Sequence, residues 1–247
     1  MLNPEFITEF DVLYNNILSD QAPGLNTYEK SVYLSNAQDD VVLDIYKGAS
    51  LGTPFENAED ARRYISVLNS QKTLSLSQSI GGSSMEGEDF FKVAFRLPDD
   101  ILFITYESAT ITGDELYCSS GHRSKEAIVV SCEQDDFWRT VRSPFRRPNA
   151  SRILKLEGVG ATGNGRVSEL VTKYPITAYT VRYIRMPRPI VLEDMELEYG
   201  PGVSVRGVTA ETSCELPDVL HKEILMRAVT AAKAVWLSTL NTNNNDR

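Results

Sequence analysis

Between Leu220 and Trp236 the chain carries an apolar face too wide for a helix lying on a protein surface. Leu220, Ile224, Ala228, Ala231 and Val235 recur at helical spacing, and Leu225, Val229, Ala232 and Trp236 broaden that stripe past half the circumference. Such a helix has to be buried among others. Pro217 stands at its first position, while Asp218 and Glu223 suit its positive N-terminal end. The partner must come from elsewhere in the chain.

The first seventy residues offer it. Asn3-Pro4 provides an N-cap and an N1 proline, followed by Phe6, Phe10, Leu13 and Ile17 on one helical face, and Ala22-Pro23-Gly24 is a stop. Asn26 with Glu29 predicts a capping box for a second helix, whose stripe is Leu34, Ala37, Val41 and Ile45 and whose end is Gly48. Asn57 and Asp60 start a third, with Ala61, Tyr64, Ile65 and Leu68 on one side. Two helices joined by a Pro-Gly turn can pack as a hairpin, closed by the third and docked against the last.

The middle of the chain is different. Phe90–Leu97, Ile101–Thr112, Ala127–Cys132, Ser151–Glu157, Val167–Thr172 and Ile176–Met186 are rich in β-branched and aromatic residues, with turn signals such as Pro98-Asp99-Asp100 between them. No helix of crossover length alternates with these runs, so antiparallel pairing is expected. The expected fold class is α+β: a helical bundle formed by both ends of the chain, with a large antiparallel β-rich insertion. Residues 1–70 and 216–240 form the bundle, 71–215 the insertion, and 241–247 a mobile tail.

At 247 residues, 42% hydrophobic and 24% charged, the chain can bury a proper core. No apolar run approaches the roughly 18 residues of a membrane helix, so no membrane association is expected. The opening MLNPEFITEFDVLY has acids where a signal peptide needs basic residues. Cys118, Cys132 and Cys214 are odd in number and far apart, which argues against a disulfide framework and for folding in a reducing cytoplasm.

The sequence carries no complete catalytic constellation. There are two histidines, His122 and His221. His221, beside Leu220 in the last helix, reads as a residue with a local hydrogen bond. Cys118 and His122 have no second Cys/His pair to complete a zinc site. Gly158-x-Gly160-x-x-Gly163 matches a dinucleotide fingerprint in form, but Asn164-Gly165 and another strand follow where a helix is required. Gly81-Gly82-Ser83-Ser84 lacks the Lys-Ser/Thr of a P-loop, and Ser119-Ser120-Gly121 is no nucleophile elbow. Adjacent acids such as Asp39-Asp40 and Asp99-Asp100 read as solvated faces or turns. The reading is of a protein that is not an enzyme, with no catalytic, cofactor or metal residues.

One segment stands apart. Asp136-Phe137-Trp138-Arg139-Thr140-Val141-Arg142-Ser143-Pro144-Phe145-Arg146-Arg147-Pro148 interleaves arginines with aromatics and prolines. Arg139, Arg142, Phe145, Arg146 and Arg147 are the candidate interface residues. A short surface helix capped by a rigid loop and direct nucleic-acid contact are the alternatives. Charge is segregated around the segment. Residues 136–189 carry 11 basic and 3 acidic side chains, whereas residues 1–70 carry 4 and 11 and residues 71–135 carry 5 and 11. Either these charges match the surface of a neighbouring subunit, or they interleave once the chain folds.

The two ends and the basic segment also carry a resemblance. Phe10-Asp11-Val12-Leu13-Tyr14-Asn15-Asn16 is followed by Gln21-Ala22-Pro23-Gly24-Leu25-Asn26-x-Tyr28-Glu29-Lys30-Ser31-Val32-x-Leu34. Ser143-Pro144-Phe145-Arg146-Arg147-Pro148-Asn149 and Glu215-Leu216-Pro217-x-x-x-His221-x-Glu223-Ile224-x-x-Arg227-Ala228-Val229 come later. Together these strings resemble virion structural proteins of tailed phages, the crAss-like group in particular, which are similar to head-to-tail connector or adaptor subunits. The resemblance implies a non-catalytic homo-oligomeric ring, a dodecamer, in the neck of the virion. Its implied partners are the portal protein, neighbouring connector or tail proteins, and packaged DNA passing through the channel. A tail or stopper component of the same particle is the nearest alternative. A carboxylate-dependent hydrolase, with two carboxyl groups about 5 to 9.5 Å apart across a cleft, and a small host regulatory binding protein are the alternatives from other classes.

Overall fold

The capping box expected at Asn26 is closed in the computed structural model. Asn26 Oδ1 accepts from the Glu29 amide at 2.7 Å and Glu29 Oε2 accepts from the Asn26 amide at 3.0 Å. The structure describes residues 1–15, 24–47, 63–84, 89–113, 124–159 and 166–245. The sites Cys118, His122 and Ser119-Ser120-Gly121, the joint Ala22-Pro23, and the third helix's start at Asn57 and Asp60 lie outside the described residues.

In chain order the helices are α1 (Asn3–Asn15), α2 (Thr27–Lys47), α3 (Phe137–Arg142), α4 (Met195–Tyr199) and α5 (Asp218–Asn245). The strands are β1 (Asn69–Ser75), β2 (Ser79–Ser84), β3 (Phe91–Arg96), β4 (Ile101–Thr112), β5 (Ser124–Ser131), β6 (Arg152–Val159), β7 (Arg166–Thr172) and β8 (Ile176–Arg185). The class is α+β. Two compact units result: Met1–Leu68 with Met186–Arg247, and Asn69–Arg185, which is inserted in the chain of the first. The boundary thus falls at Arg185, where the sequence reading placed it at 215.

In the first unit α5 lies against α2 and α1. Leu220, Ile224, Leu225, Ala228, Val229 and Ala232 are buried with Phe6, Phe10, Leu34, Val41 and Ile45. Arg227 bridges from α5 to Asp44 of α2 at 2.6 Å, and the Lys233 amine donates to the Leu13 carbonyl at 2.7 Å. The buried face is narrower than the sequence stripe suggested, because Val235 and Ala231 remain exposed. The helix also runs to Asn245, into the segment expected to be a mobile tail.

Residues 186–193 form a proline-bearing strap along α2. Within the strap Val191 exchanges backbone hydrogen bonds with Thr212 at 3.1 and 2.9 Å, and burying the other backbone groups without partners would be costly. α2 supplies the partners from one face: Ser31, Ser35 and Gln38, all buried. Ser31 Oγ accepts from the Leu192 amide at 3.1 Å and Ser35 Oγ from the Ile190 amide at 3.0 Å, while Gln38 Nε2 donates to the Arg188 carbonyl at 2.8 Å. These three polar residues sit at helical spacing beside the apolar stripe and were not singled out in the sequence.

The second unit is one sheet in the order β1-β8-β4-β5-β6-β7-β3-β2. β3 and β8 are separated in that order by four strands, yet the rings of Phe95 and Tyr179 stand 5.3 Å apart. The sheet is therefore curled so that one face encloses a core, including Ile111, Ala127, Val129, Ile153, Leu170 and Val181. Register shifts along β4, at Ile101/Phe103, Ile104/Tyr106 and Thr110/Ile111, supply the extra bend. The sheet is mixed, not antiparallel throughout: β5 and β6 pair in parallel. The connection across residues 132–151 is long enough for a crossover because it contains α3, which the sequence reading treated as part of a surface segment.

His221 is buried at the start of α5, where its Nε2 meets the Leu216 carbonyl at 2.8 Å and its Nδ1 meets the N-terminal ammonium of Met1 at 2.8 Å. A neutral ring donating from Nε2 and accepting at Nδ1 satisfies both contacts. Burial is the largest influence on it and holds its pKa below the ordinary value. Unfolded histidine titrates near ~6.5, so below that pH the unfolded chain binds more protons than the folded one. The stability contribution is complete above about pH 6.5 and is lost as pH falls toward the lower folded-state pKa. His221→Gln should lose less melting temperature than the wild type between about pH 7 and 5.5; an equal loss in both would assign the slope to other groups.

The docking of α5 is testable at its centre. Ala228 is fully buried, and Ala228→Asp should lower unfolding free energy by about 4 kcal/mol through an unpaired buried charge. A variant within 1 kcal/mol of wild type in denaturant unfolding would place that side chain elsewhere.

Candidate functional site

Two places in the second unit bring polar chemistry together: the inside of the curled sheet, and the basic segment on its outer face. Inside, Glu107 of β4, Lys155 of β6 and Tyr179 of β8 meet. Lys155 Nζ donates to Glu107 Oε2 at 2.8 Å, and Tyr179 Oη donates to Glu107 Oε1. Lys155 is only 2% exposed and also pairs with Glu157 at 3.2 Å. Burial, then the neighbouring Glu107 charge, raises the Tyr179 pKa far above its usual value, so the phenol stays a donor. A cavity of about 470 Å³ opens beside this cluster, lined by Thr105, Glu107, Ser131, Lys155, Glu157 and Arg166 among others.

The cluster answers the hydrolase reading unfavourably. One lysine pairs with both Glu107 and Glu157, and the second oxygen of Glu107 holds the tyrosine. A general acid needs a carboxyl group kept protonated, and a nucleophile one left free; here both carboxylates are paired with a buried cation. A second concavity, a mostly apolar groove of about 370 Å³, is lined by Leu76, Phe91, Val93, Pro175 and Ile176 together with Lys92, which pairs with Glu169 at 3.4 Å, and Thr172, whose hydroxyl donates to the Tyr174 carbonyl at 2.9 Å. Among the described residues no group of three or more His, Cys, Asp or Glu is placed to hold a metal ion. Cys214 is half-buried, its thiol pushed up by desolvation to about 11 and donating to Gln38 Oε1 at 3.4 Å. A thiol in that state is a poor nucleophile. β6 and β7 pair antiparallel, so the Gly158 stretch joins two strands and not a strand to a helix.

The basic segment is a built feature. Asp136 opens α3, and Phe137 and Val141 point into a cluster with Phe90, Leu154, Leu156 and Val171 on the outer face of β6, β7 and their neighbourhood. Pro148 is buried at the far end. Between these anchors the Ser143 carbonyl accepts from the amides of Arg146 and Arg147 at 3.2 and 3.0 Å, and Arg152 Nη1 donates to the Phe145 carbonyl at 3.2 Å. Asn149 Oδ1 then closes a turn by accepting from the Ser151 and Arg152 amides. With the backbone held this way, Trp138, Arg139, Arg142, Phe145, Arg146 and Arg147 are all exposed. The Arg142 guanidinium lies 5.8 Å from the Trp138 ring centroid, and Arg139 pairs with Asp136 at 3.6 Å. Phe145 is 89% exposed. The structure thus brings all five candidate interface residues to one surface segment.

The sequence matches the model of the phage tail ring protein 3/4 family over residues 1–245. The chain belongs to that family. It is 38% identical over 234 residues to Ring protein 3 of Bacteroides phage crAss001, covering 94% of this chain and 95% of the relative. It is 32% identical over 242 residues to Ring protein 4/5 of the same phage, covering 96% and 94%. Membership makes it a structural ring component of a crAss-like phage virion, in agreement with the resemblance read from the sequence.

Within this ring protein the buried pair is open to direct measurement. Lys155→Met strands the Glu107 carboxylate and should cost about 3–5 kcal/mol. Adding Glu107→Gln, which keeps an acceptor for Tyr179, should restore most of that in denaturant unfolding. A single Lys155→Met variant as stable as wild type would show that the pair does not hold the sheet.

Proposed function

We propose that this chain is a non-catalytic subunit of the head-to-tail connector, assembled as a homo-oligomeric ring of twelve copies below the portal and lining the exit channel for packaged DNA. In this reading α1, α2 and α5 act as one bundle, and Arg139, Arg142, Phe145, Arg146 and Arg147 sit at the contact between copies. The portal protein and adjacent connector or tail proteins are its further neighbours in the virion neck.

The observation that carries the reading is the full-length match to ring proteins, joined to an exposed, backbone-rigid, arginine-rich and aromatic loop. Arginine and aromatic residues dominate interface energetics. A loop already ordered in the free chain loses little further entropy on docking. Tight phosphate binding along the channel would oppose sliding of DNA, so these arginines are better used against acidic protein surface, which a chain of net charge −9 has in plenty. A position further down the particle, in the tail, is the second reading, favoured by the family's own description as tail ring proteins.

Electron microscopy of the particle decides between neck and tail and counts the copies. Arg146→Glu with Arg147→Glu should abolish ring formation while leaving the thermal unfolding of the free chain unchanged. A double variant that assembles normally, but loses a tight salt-sensitive DNA binding shown by the wild type, would assign the segment to nucleic acid.

A further inference from the structure

A ring of identical copies joined head to tail needs two different surfaces on each copy. The basic loop is one. Among the described residues the two most exposed large apolar side chains are Phe145, at 89%, and Leu197, at 88%. They sit in opposite electrostatic settings. In the chain Phe145 stands between Arg142 and the pair Arg146-Arg147, whereas Leu197 stands between Glu196 and Glu198, with Glu193 just before them.

The acidic counterpart is as firmly built as the basic one. Asp194 caps α4 by accepting from the Glu196 and Leu197 amides at 3.0 and 3.3 Å, and Met195 is buried with Val191 and Val205. Tyr199 Oη accepts from the Thr27 amide at 3.1 Å, which pins the other end of the helix to the start of α2. Gly200 then leaves the helix at a φ of +90°, a conformation glycine adopts without strain. Leu197 itself is left in water while Asp194, Met195 and Tyr199 hold the helix that carries it. An apolar side chain kept almost wholly in water, on a capped and pinned helix and flanked in the chain by exposed residues of one charge, has the chemistry of a docking anchor.

Resting on the ring reading above, we propose that the Arg142–Arg147 loop of one copy docks on α4 of the next, with Phe145 and Leu197 in contact and Glu193, Glu196 and Glu198 facing the arginines. The occupant of the basic loop is thus a second copy of this chain, and the contact is heterologous.

The test uses the full-length chain in two charge-reversed forms. One carries Arg142→Glu, Arg146→Glu and Arg147→Glu; the other carries Glu193→Arg, Glu196→Arg and Glu198→Arg. Five of the six positions are exposed and Glu193 is half-buried, so circular dichroism melts check that each form folds. Assembly is read by mass photometry and negative-stain microscopy at a concentration where the unmodified chain forms rings. Each form alone should lose the ring, because like charges then meet at every contact. Mixed one to one, they should regain it, because alternating copies place opposite charges at every junction; a contact within one chain would gain nothing from mixing. If the arginine form fails and the glutamate form still assembles, the pairing with α4 is wrong and the basic interface stands. Failure of the mixture to rescue two forms that each fail alone also overturns the pairing. Normal assembly of the arginine form, or an unmodified chain that stays monomeric at its highest soluble concentration, overturns the interface reading and the pairing with it.

Discussion

A lysine buried inside the curled sheet fixes where the exposed arginines stand. Lys155 belongs to β6, and its amine is held inward by Glu107 and Glu157. Because side chains alternate across a strand, an inward Lys155 puts Leu154 and Leu156 on the outer face, and those two residues receive Phe137 and Val141 of α3. A one-residue slip of β6 would turn the leucines inward beside Glu107 and put the Lys155 charge into the apolar cluster under α3. The interior pair thus sets the register, the register sets the seat of α3, and the seat sets the direction of Trp138, Arg139 and Arg142. Replacing a buried ion pair by apolar residues is often neutral for stability. Its worth here lies in selecting one register out of two.

The first unit solves a different problem by similar means. Its strap at 186–193 has prolines at 187 and 189, which give up backbone donors and keep the chain extended. Such a segment cannot join a sheet fully, and along a purely apolar helix its remaining amides and carbonyls would be orphaned. Ser31 and Ser35 act in both directions, each donating back to the helix carbonyl four residues earlier and accepting from the strap. The result is a strap bonded to side chains of α2 and, at Val191, to the Thr212 backbone, which places α4 immediately after it on a fixed base.

What could be read from the sequence follows the strength of each local signal. The capping box at Asn26, the stripe of Leu34, Val41 and Ile45, and the strand Ile101–Thr112 were legible because capping chemistry and apolar periodicity are written in consecutive residues. β1 and β2 were not. Asn69–Ser75 buries one residue, Leu74, and Ser79–Ser84 is Ser-Ile-Gly-Gly-Ser-Ser. These are the two edges of the sheet, where one side of the strand has no partner and polar residues are tolerated. The parallel pairing of β5 and β6 was hidden for a related reason: its crossover helix is six residues, too short to leave a periodic trace. The five candidate interface residues stand out in the sequence by composition, and the structure adds that all five are exposed. Leu197 passed unnoticed, since a leucine in Met-Glu-Leu-Glu-Tyr carries no mark of exposure until the helix around it is placed.

In the proposed contact, charge and apolar surface have separate tasks. A solvent-exposed ion pair contributes only about 0.2–1 kcal/mol and is screened by salt, so three arginines facing three glutamates cannot hold a ring by themselves. Burying a phenylalanine against a leucine contributes about 1.5–3 kcal/mol per side chain, comparable to all the charges together and insensitive to salt. Apolar contact is also indiscriminate, because either anchor could meet its own kind on another copy. The charges remove that ambiguity: two basic loops repel, two acidic helices repel, and loop against helix is the combination left. Closure then adds what no single contact has, since the last subunit of a ring is held at two junctions at once and the second is made at high effective concentration. Individually weak, oriented contacts are therefore sufficient for a stable ring, and they leave the free subunit soluble until enough copies are present to close it.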